Sequence, residues 1–154
     1  MGAATLISGT EMSWDQFRRL PEDVRAEYRD GQVYMTPGPG IAHQRICSRL
    51  DRVLFSAFGP AAVVVPAGTC EIPGPVTIAR IPDLLVLADE PVEDVFTGSP
   101  ARIVEVLSSD RARDLVVKRA EYLTGGAGQY WIVDPREQTM TGADKSGARV
   151  GDRG

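Results

Sequence analysis

The chain has 154 residues, a formal net charge of −4 and an isoelectric point near 5.0, which indicates one domain without the broadly basic surface of many nucleic-acid-binding proteins. No stretch is long and apolar enough to span a membrane, and residues 1–10 lack the features of a signal peptide. Cys47 and Cys70 show no metal-ligand spacing, so we expect two buried free thiols and a cytoplasmic protein.

The first half of the chain predicts a hairpin, a helix and two short strands. Asp30-Gly31 lies between alternating apolar and polar residues and favours a type I′ turn. The amphipathic helix that follows ends at Gly59, and its apolar face consists of Ile46, Leu50, Val53, Leu54, Ala57 and Phe58. Residues 63–65 and 69–72 are typical of strands, which nearby prolines restrict to edges or ends.

Two apolar runs, residues 81–87 and 102–108, each contain one carboxylate. Both runs are rich in Val, Ile and Leu and indicate buried strands. Asp83 opens the first strand, and Glu105 lies near the end of the second. Because an unpaired buried carboxylate is costly, we expect a cation, a hydrogen-bond donor or a metal ion beside each.

The connection between these two strands favours an antiparallel pairing. Residues 88–100 contain two prolines, a glycine and several acidic residues, which indicate an exposed loop rather than a crossover helix. The start of one strand then lies beside the end of the other, so Asp83 and Glu105 converge on one cation. Two alternatives stay open: Asp83 belongs to a turn at the strand start, and Glu105 pairs with a structural arginine.

A helix is predicted over residues 110–124 and ends at Gly125. Its apolar stripe consists of Val116, Ala120 and Leu123, and its polar stripe consists of Asp114, Lys118 and Tyr122. An ordinary ion pair between Asp114 and Lys118 would also explain this polar stripe.

Lys118 is one of only two lysines among 17 Lys and Arg residues, and the other, Lys145, lies near the C-terminus. Lysine carries a compact charge that arginine does not replace at every phosphate-binding site. The composition therefore singles out Lys118 as a candidate functional cation.

A further buried strand is predicted at residues 131–133, and a polar, glycine-rich segment at residues 141–154 favours disorder. Together the elements predict an α/β domain, with a mixed sheet flanked by helices, over residues 12–140. A flexible N-terminus is expected at residues 1–11 and a disordered tail at residues 141–154.

Asp83, Glu105 and Lys118 together resemble the active site of the PD-(D/E)XK nucleases. Most of that superfamily has the lysine two positions after the acidic residue, where this chain has Leu107, but some branches carry it on the next helix. The order of segments is similar to one branch, the Uma-two family of restriction-endonuclease-like proteins. The matching segments are residues 12–17 with 20–22, residues 27–33, His43 with Ile46 and Leu50, residues 82–83, residues 105–108, Asp114 with Lys118 and Tyr122, and residues 128–135.

The resemblance implies a restriction-endonuclease-like fold and an endonuclease that uses Mg²⁺, or Mn²⁺ in its place. Its substrate would be nucleic acid, DNA above all, and a homodimer is the implied assembly. Asp83 and Glu105 would bind the metal, and Lys118 would offset charge on the phosphoryl oxygens. Glu27 would be a third carboxylate of the site; alternatively it is an exposed hairpin residue opposite Tyr34.

The candidate substrate-binding residues are His43, Arg111, Arg113, Tyr122 and Gln129. His43 would touch a phosphate or water from the start of its helix, or it is only a partly buried helix-end residue. Tyr122 would orient Lys118 or simply pack, and Gln129 would line the site from the last strand. Arg111 and Arg113 would add positive charge beside the site.

Two other functions stay open. A non-catalytic interaction or regulatory module that keeps the nuclease fold agrees with the acidic isoelectric point and the displaced lysine. Hydrolysis of a different phosphate ester would use the same residues.

Overall fold

The computed structural model describes residues 8–108, 112–146 and 149–150, which form two six-stranded sheets and three α-helices. The helices are α1 (Trp14–Phe17), α2 (Ile41–Phe58) and α3 (Ala112–Thr124), with a 3₁₀ turn at Gly59–Ala61. The strands are β1 (Thr10–Glu11), β2 (Ala26–Arg29), β3 (Gln32–Met35), β4 (Val63–Pro66), β5 (Thr69–Ile72), β6 (Ile78–Arg80), β7 (Leu84–Leu87), β8 (Val95–Thr97), β9 (Arg102–Val106), β10 (Gln129–Asp134), β11 (Thr139–Asp144) and β12 (Arg149–Val150).

The strand order is β1-β3-β2-β6-β5-β8 in the first sheet and β12-β11-β10-β9-β7-β4 in the second. Both sheets are mixed, because β5 pairs with β8 and β9 with β10 in parallel, whereas the other neighbours are antiparallel. The predicted α/β class is confirmed, but the strands form two sheets rather than one. The three-residue strand β6, with a charged residue at its end, is too short to be recognised from periodicity.

The main core lies between the two sheets and α3. Alternate residues of a strand face opposite sides, so Leu85 and Leu87 of β7 face this core while Leu84 and Val86 face α2. The packing partners of the first pair include Ile72, Ile78, Ile103, Leu115, Tyr122 and Tyr130. The packing partners of the second pair are Leu54, Val104 and the side chains around them. The second sheet is therefore covered on both faces, which keeps the ends of β7 and β9 away from bulk water.

Helix α3 turns a different face to the core than its apolar pattern predicts. Val116 is 71% exposed, whereas Leu115, Lys118 and Tyr122 are buried. The stripe of Val116, Ala120 and Leu123 is therefore wrong as the main buried face, although Leu123 packs at the edge of the core. The buried face carries a lysine and a tyrosine because buried carboxylates lie opposite it.

The predicted hairpin and the predicted end of the amphipathic helix at Gly59 are confirmed. Arg29 pairs with Gln32 across a two-residue turn in which Asp30 and Gly31 both have positive φ angles, of 47° and 85°. Helix α2 ends at Gly59, which has a φ of 68°. The described helices include none with the length and apolar character needed to cross a membrane.

Both predicted domain ends need correction. Residues 141–144, assigned to a disordered tail, belong to β11, which pairs with β10 over six residues. Main-chain hydrogen bonding to an open sheet edge does not require an apolar side-chain pattern. At the other end, Thr10 and Glu11 pair with β3. Residues 1–7, 147–148 and 151–154 lie outside the described residues.

Candidate active site

Asp83 and Glu105 meet where β7 begins and β9 ends. The two strands are antiparallel with Leu84 opposite Val104, which confirms the predicted pairing and places Asp83 next to Glu105. The Asp83 amide donates to Glu105 Oε2 at 3.4 Å, and the Val106 amide donates to Asp83 Oδ2 at 2.7 Å. Asp83 is 6% exposed and Glu105 1%. The register of two strands thus holds two buried carboxylates side by side.

Burial and mutual repulsion oppose the ionisation of both carboxylates. Burial and the neighbouring Asp83 together raise the pKa of Glu105 to about 8, although the Lys118 ammonium lowers it. Glu105 accepts hydrogen bonds from the Asp83 amide and from the Tyr122 hydroxyl, both at 3.4 Å. Adjacent carboxylate oxygens are the donor set that Mg²⁺ and similar hard cations prefer. The residues present therefore fit a divalent cation.

Glu27 and Lys118 form a buried ion pair beside these carboxylates. Lys118, 3% exposed, donates from Nζ to Glu27 Oε1 at 3.0 Å. Glu27 also accepts from Arg80 Nη1 at 2.9 Å and from the Ile81 amide at 3.1 Å. Burial raises the pKa of Glu27, but Lys118, Arg80 and the amide outweigh burial and hold it below its usual value. The alternative of an exposed hairpin glutamate is therefore wrong, although Tyr34 does lie opposite.

Arg80 and Glu121 continue this series of ion pairs towards the protein surface. The Arg80 guanidinium donates to both carboxylate oxygens of Glu121, with the shortest contact at 2.8 Å, and Arg29 Nε donates to Glu121 Oε1 at 2.9 Å. Burial lowers the pKa of Arg80, but Glu27 and Glu121 raise it above its usual value overall. The sequence patterns identify neither Arg80 nor Glu121 as a site residue. A charged residue in the apolar run 78–81 was the available signal for Arg80.

His43 and Cys47 lie next to Asp83. His43, in the first turn of α2, has Nε2 at 3.2 Å from Asp83 Oδ2. Cys47 lies one turn later, with Sγ at 3.6 Å from His43 Nδ1. One ligand atom of each of these three residues lies within 4.8 Å of the others. Both cysteines are buried and free, as predicted. The spacing of the two cysteines gave no indication of the cluster of Cys47 with His43 and Asp83.

The Cys47 thiol is held neutral in the absence of a metal ion. Burial raises its pKa to about 12, and the Asp83 and Glu105 carboxylates contribute to this rise. The sequence signal that would have revealed the cluster is the spacing of four residues between His43 and Cys47, which places both side chains on one helix face.

Among the other sequence candidates that the structure describes, Tyr122 joins the site and Gln129 does not. Tyr122 contacts Glu105 and stacks on Tyr130, with ring centroids 5.6 Å apart. Gln129 instead accepts from Arg102 Nε at 2.9 Å. It pairs with Arg102, three residues before Glu105, or about 10 Å along the strand, so the structure does not bring it together with the carboxylates. Arg111 and the side chain of Arg113 lie outside the described residues.

A two-sheet α/β domain with clustered carboxylates and a buried lysine has the architecture of a nuclease fold. The chain matches the model of the Uma2 family, described as "Putative restriction endonuclease", over residues 14–148. The chain therefore belongs to the Uma2 family, as the sequence resemblance predicted.

A solved structure and the curated proteins give two further comparisons. The chain is similar to the crystal structure of a "putative nuclease belonging to DUF820" from Anabaena variabilis ATCC 29413, with 25% identity and a TM-score of 0.76. The match covers 90% of this chain and 83% of that chain. None of the curated proteins matches the chain.

The raised pKa of Glu105 predicts a specific pH dependence of stability. Glu105 ionises near 4.5 when unfolded and near 8 when folded, so the folded metal-free protein binds more protons between these values. Its free energy of unfolding should therefore fall as pH rises, by at most about 1.4 kcal/mol per pH unit from this group. In Glu105→Gln this contribution to the slope should disappear.

Urea unfolding at pH 5, 6, 7 and 8 in the presence of a chelator measures this slope. Glu27 does not interfere, because its lowered pKa confines its contribution to acidic solution below this window. Identical slopes in the wild type and Glu105→Gln would contradict the assignment.

Proposed function

We propose that the protein is an endonuclease that hydrolyses phosphodiester bonds in nucleic acid, DNA above all, with a divalent cation, Mg²⁺ or Mn²⁺. The observation that carries the proposal is the convergence of buried Asp83 and Glu105 beside a buried lysine. Membership of a family described as "Putative restriction endonuclease", and likeness to a structure described as a "putative nuclease", support it.

Asp83 and Glu105 would hold the cation in this proposal, since both offer carboxylate oxygens at the same strand ends. A bound divalent cation supplies Lewis acidity, which polarises a phosphate and lowers the pKa of an attacking water. Tyr122 holds Glu105 through its hydroxyl. His43, beside Asp83 at the start of α2, would contact the phosphate or the water.

Lys118 would offset the negative charge that develops on the phosphoryl oxygens. Glu27 accepts a hydrogen bond from Lys118 Nζ and is itself fixed by Arg80 and the Ile81 amide. Glu27 is therefore assigned as a positioning residue for Lys118. A homodimer, with a larger surface for nucleic acid, remains part of this proposal.

The chain has a local basic surface, although its net charge is negative. Arg45, Arg49 and Arg52 are exposed on the outer face of α2, and Arg45 and Arg52 are about 10 Å apart along its axis. Among the described residues none of the three forms an ion pair, in contrast to Arg29 and Arg80. A row of uncompensated arginines on the helix that carries His43 suits the phosphate backbone of a substrate.

Cleavage of supercoiled plasmid and of single-stranded DNA with Mg²⁺ or Mn²⁺ tests the proposed activity. Asp83→Asn, Glu105→Gln and Lys118→Ala should each lose activity by on the order of 100-fold or more, because each removes charge from the reacting centre. Glu137→Gln, a carboxylate-to-amide change on the exposed surface, is the matched control and should cleave normally. Activity that survives in Asp83→Asn would show a contaminant or another site.

The arginine row predicts a change in the salt dependence of DNA binding. The experiment uses the Asp83→Asn protein as the background. Replacing Arg45, Arg49 and Arg52 by Gln in this background should weaken DNA binding. It should also flatten the slope of log K against log salt by about 2 to 3, since each phosphate contact contributes about 0.9. Fluorescence anisotropy from low to moderate salt measures the slope. A control protein with Arg18, Arg19 and Arg136 replaced by Gln should keep the slope of the parent protein. Equal slopes for the two triple variants would contradict the assignment of the α2 arginines to the DNA-binding surface.

A further inference from the structure

We propose that His43 and Cys47 complete a metal site with Asp83 that binds a transition-metal dication of the Zn²⁺ and Co²⁺ kind in preference to Mg²⁺. The inference rests on the proposed function, because Asp83 is one of its metal ligands, and it adds a second metal position beside the Asp83–Glu105 position, which keeps its preference for Mg²⁺ or Mn²⁺. The nitrogen and sulfur ligands come from α2, and the oxygen ligand comes from the start of β7.

The three side chains lie close enough to share one cation. His43 Nε2 lies 3.2 Å from Asp83 Oδ2, and Cys47 Sγ lies 3.6 Å from His43 Nδ1. These contacts use different nitrogens of the His43 ring, and a metal ion would use only one of them. In a tetrahedral zinc site, metal–ligand distances of 2.0–2.3 Å place neighbouring ligand atoms roughly 3.3–3.8 Å apart. One donor atom from each of the three side chains lies within 4.8 Å of the others, so rotation of the side chains would bring the three atoms to this spacing.

The helix holds these two side chains in place over the strand. His43 and Cys47 are four residues apart and therefore lie one above the other on the same face of α2. Leu54, two turns further along this face, is buried against Leu84, Val86 and Val104 of the second sheet. This packing fixes the face of α2 towards the start of β7, where Asp83 lies. Cys47 is 5% exposed, and the Asp83 side chain is 5% exposed, so the site excludes most water.

The chemical type of the three ligand atoms determines which metal ion this position prefers. Mg²⁺ prefers oxygen ligands and retains several waters, whereas thiolate and imidazole favour Zn²⁺ and related transition metals. When the metal binds, the sulfur–hydrogen bond of Cys47 is replaced by a sulfur–metal bond, and the proton passes to solvent. No electron is transferred. A simple hydrogen bond between the Cys47 thiol and His43 is the competing explanation of the 3.6 Å contact.

Optical titration of the chelator-treated protein with Co²⁺ distinguishes the two explanations, because only a cobalt–thiolate bond produces an intense near-ultraviolet charge-transfer band. The wild type should show this band at one Co²⁺ per chain, and a large excess of Mg²⁺ should not remove it. Cys47→Ser should lose the band, and its apparent Co²⁺ dissociation constant should rise on the order of 10- to 100-fold. His43→Ala should also weaken Co²⁺ binding.

Cys70→Ser is the matched control, because Cys70 is the other buried free thiol and it contacts the carbonyl of Glu71 rather than the site. It should retain the full band. Absence of the band in folded wild type, or its persistence in Cys47→Ser, would overturn the inference. The outcome is separate from that of the nuclease assay: Mg²⁺-dependent cleavage without the band would leave the proposed function intact and reject this metal site.

Discussion

The antiparallel pairing of β7 with β9 is the constraint on which the candidate site depends. It places Asp83 beside Glu105 at the ends of two inner strands of a sheet that is covered on both faces. Two adjacent carboxylates in such a place repel each other and lose hydration, which is why the pKa of Glu105 rises to about 8. A cation at this position would relieve both effects. Two adjacent buried carboxylates destabilise the protein when no cation is bound, and they provide ligands when one is.

A network of ion pairs lies beside the two carboxylates. Glu27 is bound by Lys118 and Arg80, and Arg80 in turn is bound by Glu121. A buried ion pair often contributes little net stability, because desolvation offsets the attraction. The apolar contacts between the sheets and the helices provide the stability, so the network is better explained by the need to hold Lys118 beside Glu105. The same logic makes α3 bury a lysine while it exposes Val116.

Much of the candidate site was predictable from single residues whose type is unusual for the segment or the composition in which they occur. A carboxylate in an apolar strand identified Asp83 and Glu105, and the scarcity of lysine identified Lys118. The same criterion applied to a three-residue strand would have identified Arg80. The buried face of α3 was not predictable from periodicity, because carboxylates from distant strands decide which side faces inward. The spacing of His43 and Cys47 indicates that both lie on one face of α2, but their proximity to Asp83 depends on how α2 packs on the sheet, which one sequence does not reveal.

The measurement that tests the central claim most directly is anomalous X-ray diffraction from crystals grown with Mn²⁺. A metal ion bound by the convergent carboxylates should give an anomalous peak within coordination distance of both Asp83 and Glu105. In Asp83→Asn crystals the peak should be lost. Well-ordered wild-type crystals with no peak at this position, or with peaks only at the exposed acidic loop of Asp89, Glu90 and Glu93, would contradict the account.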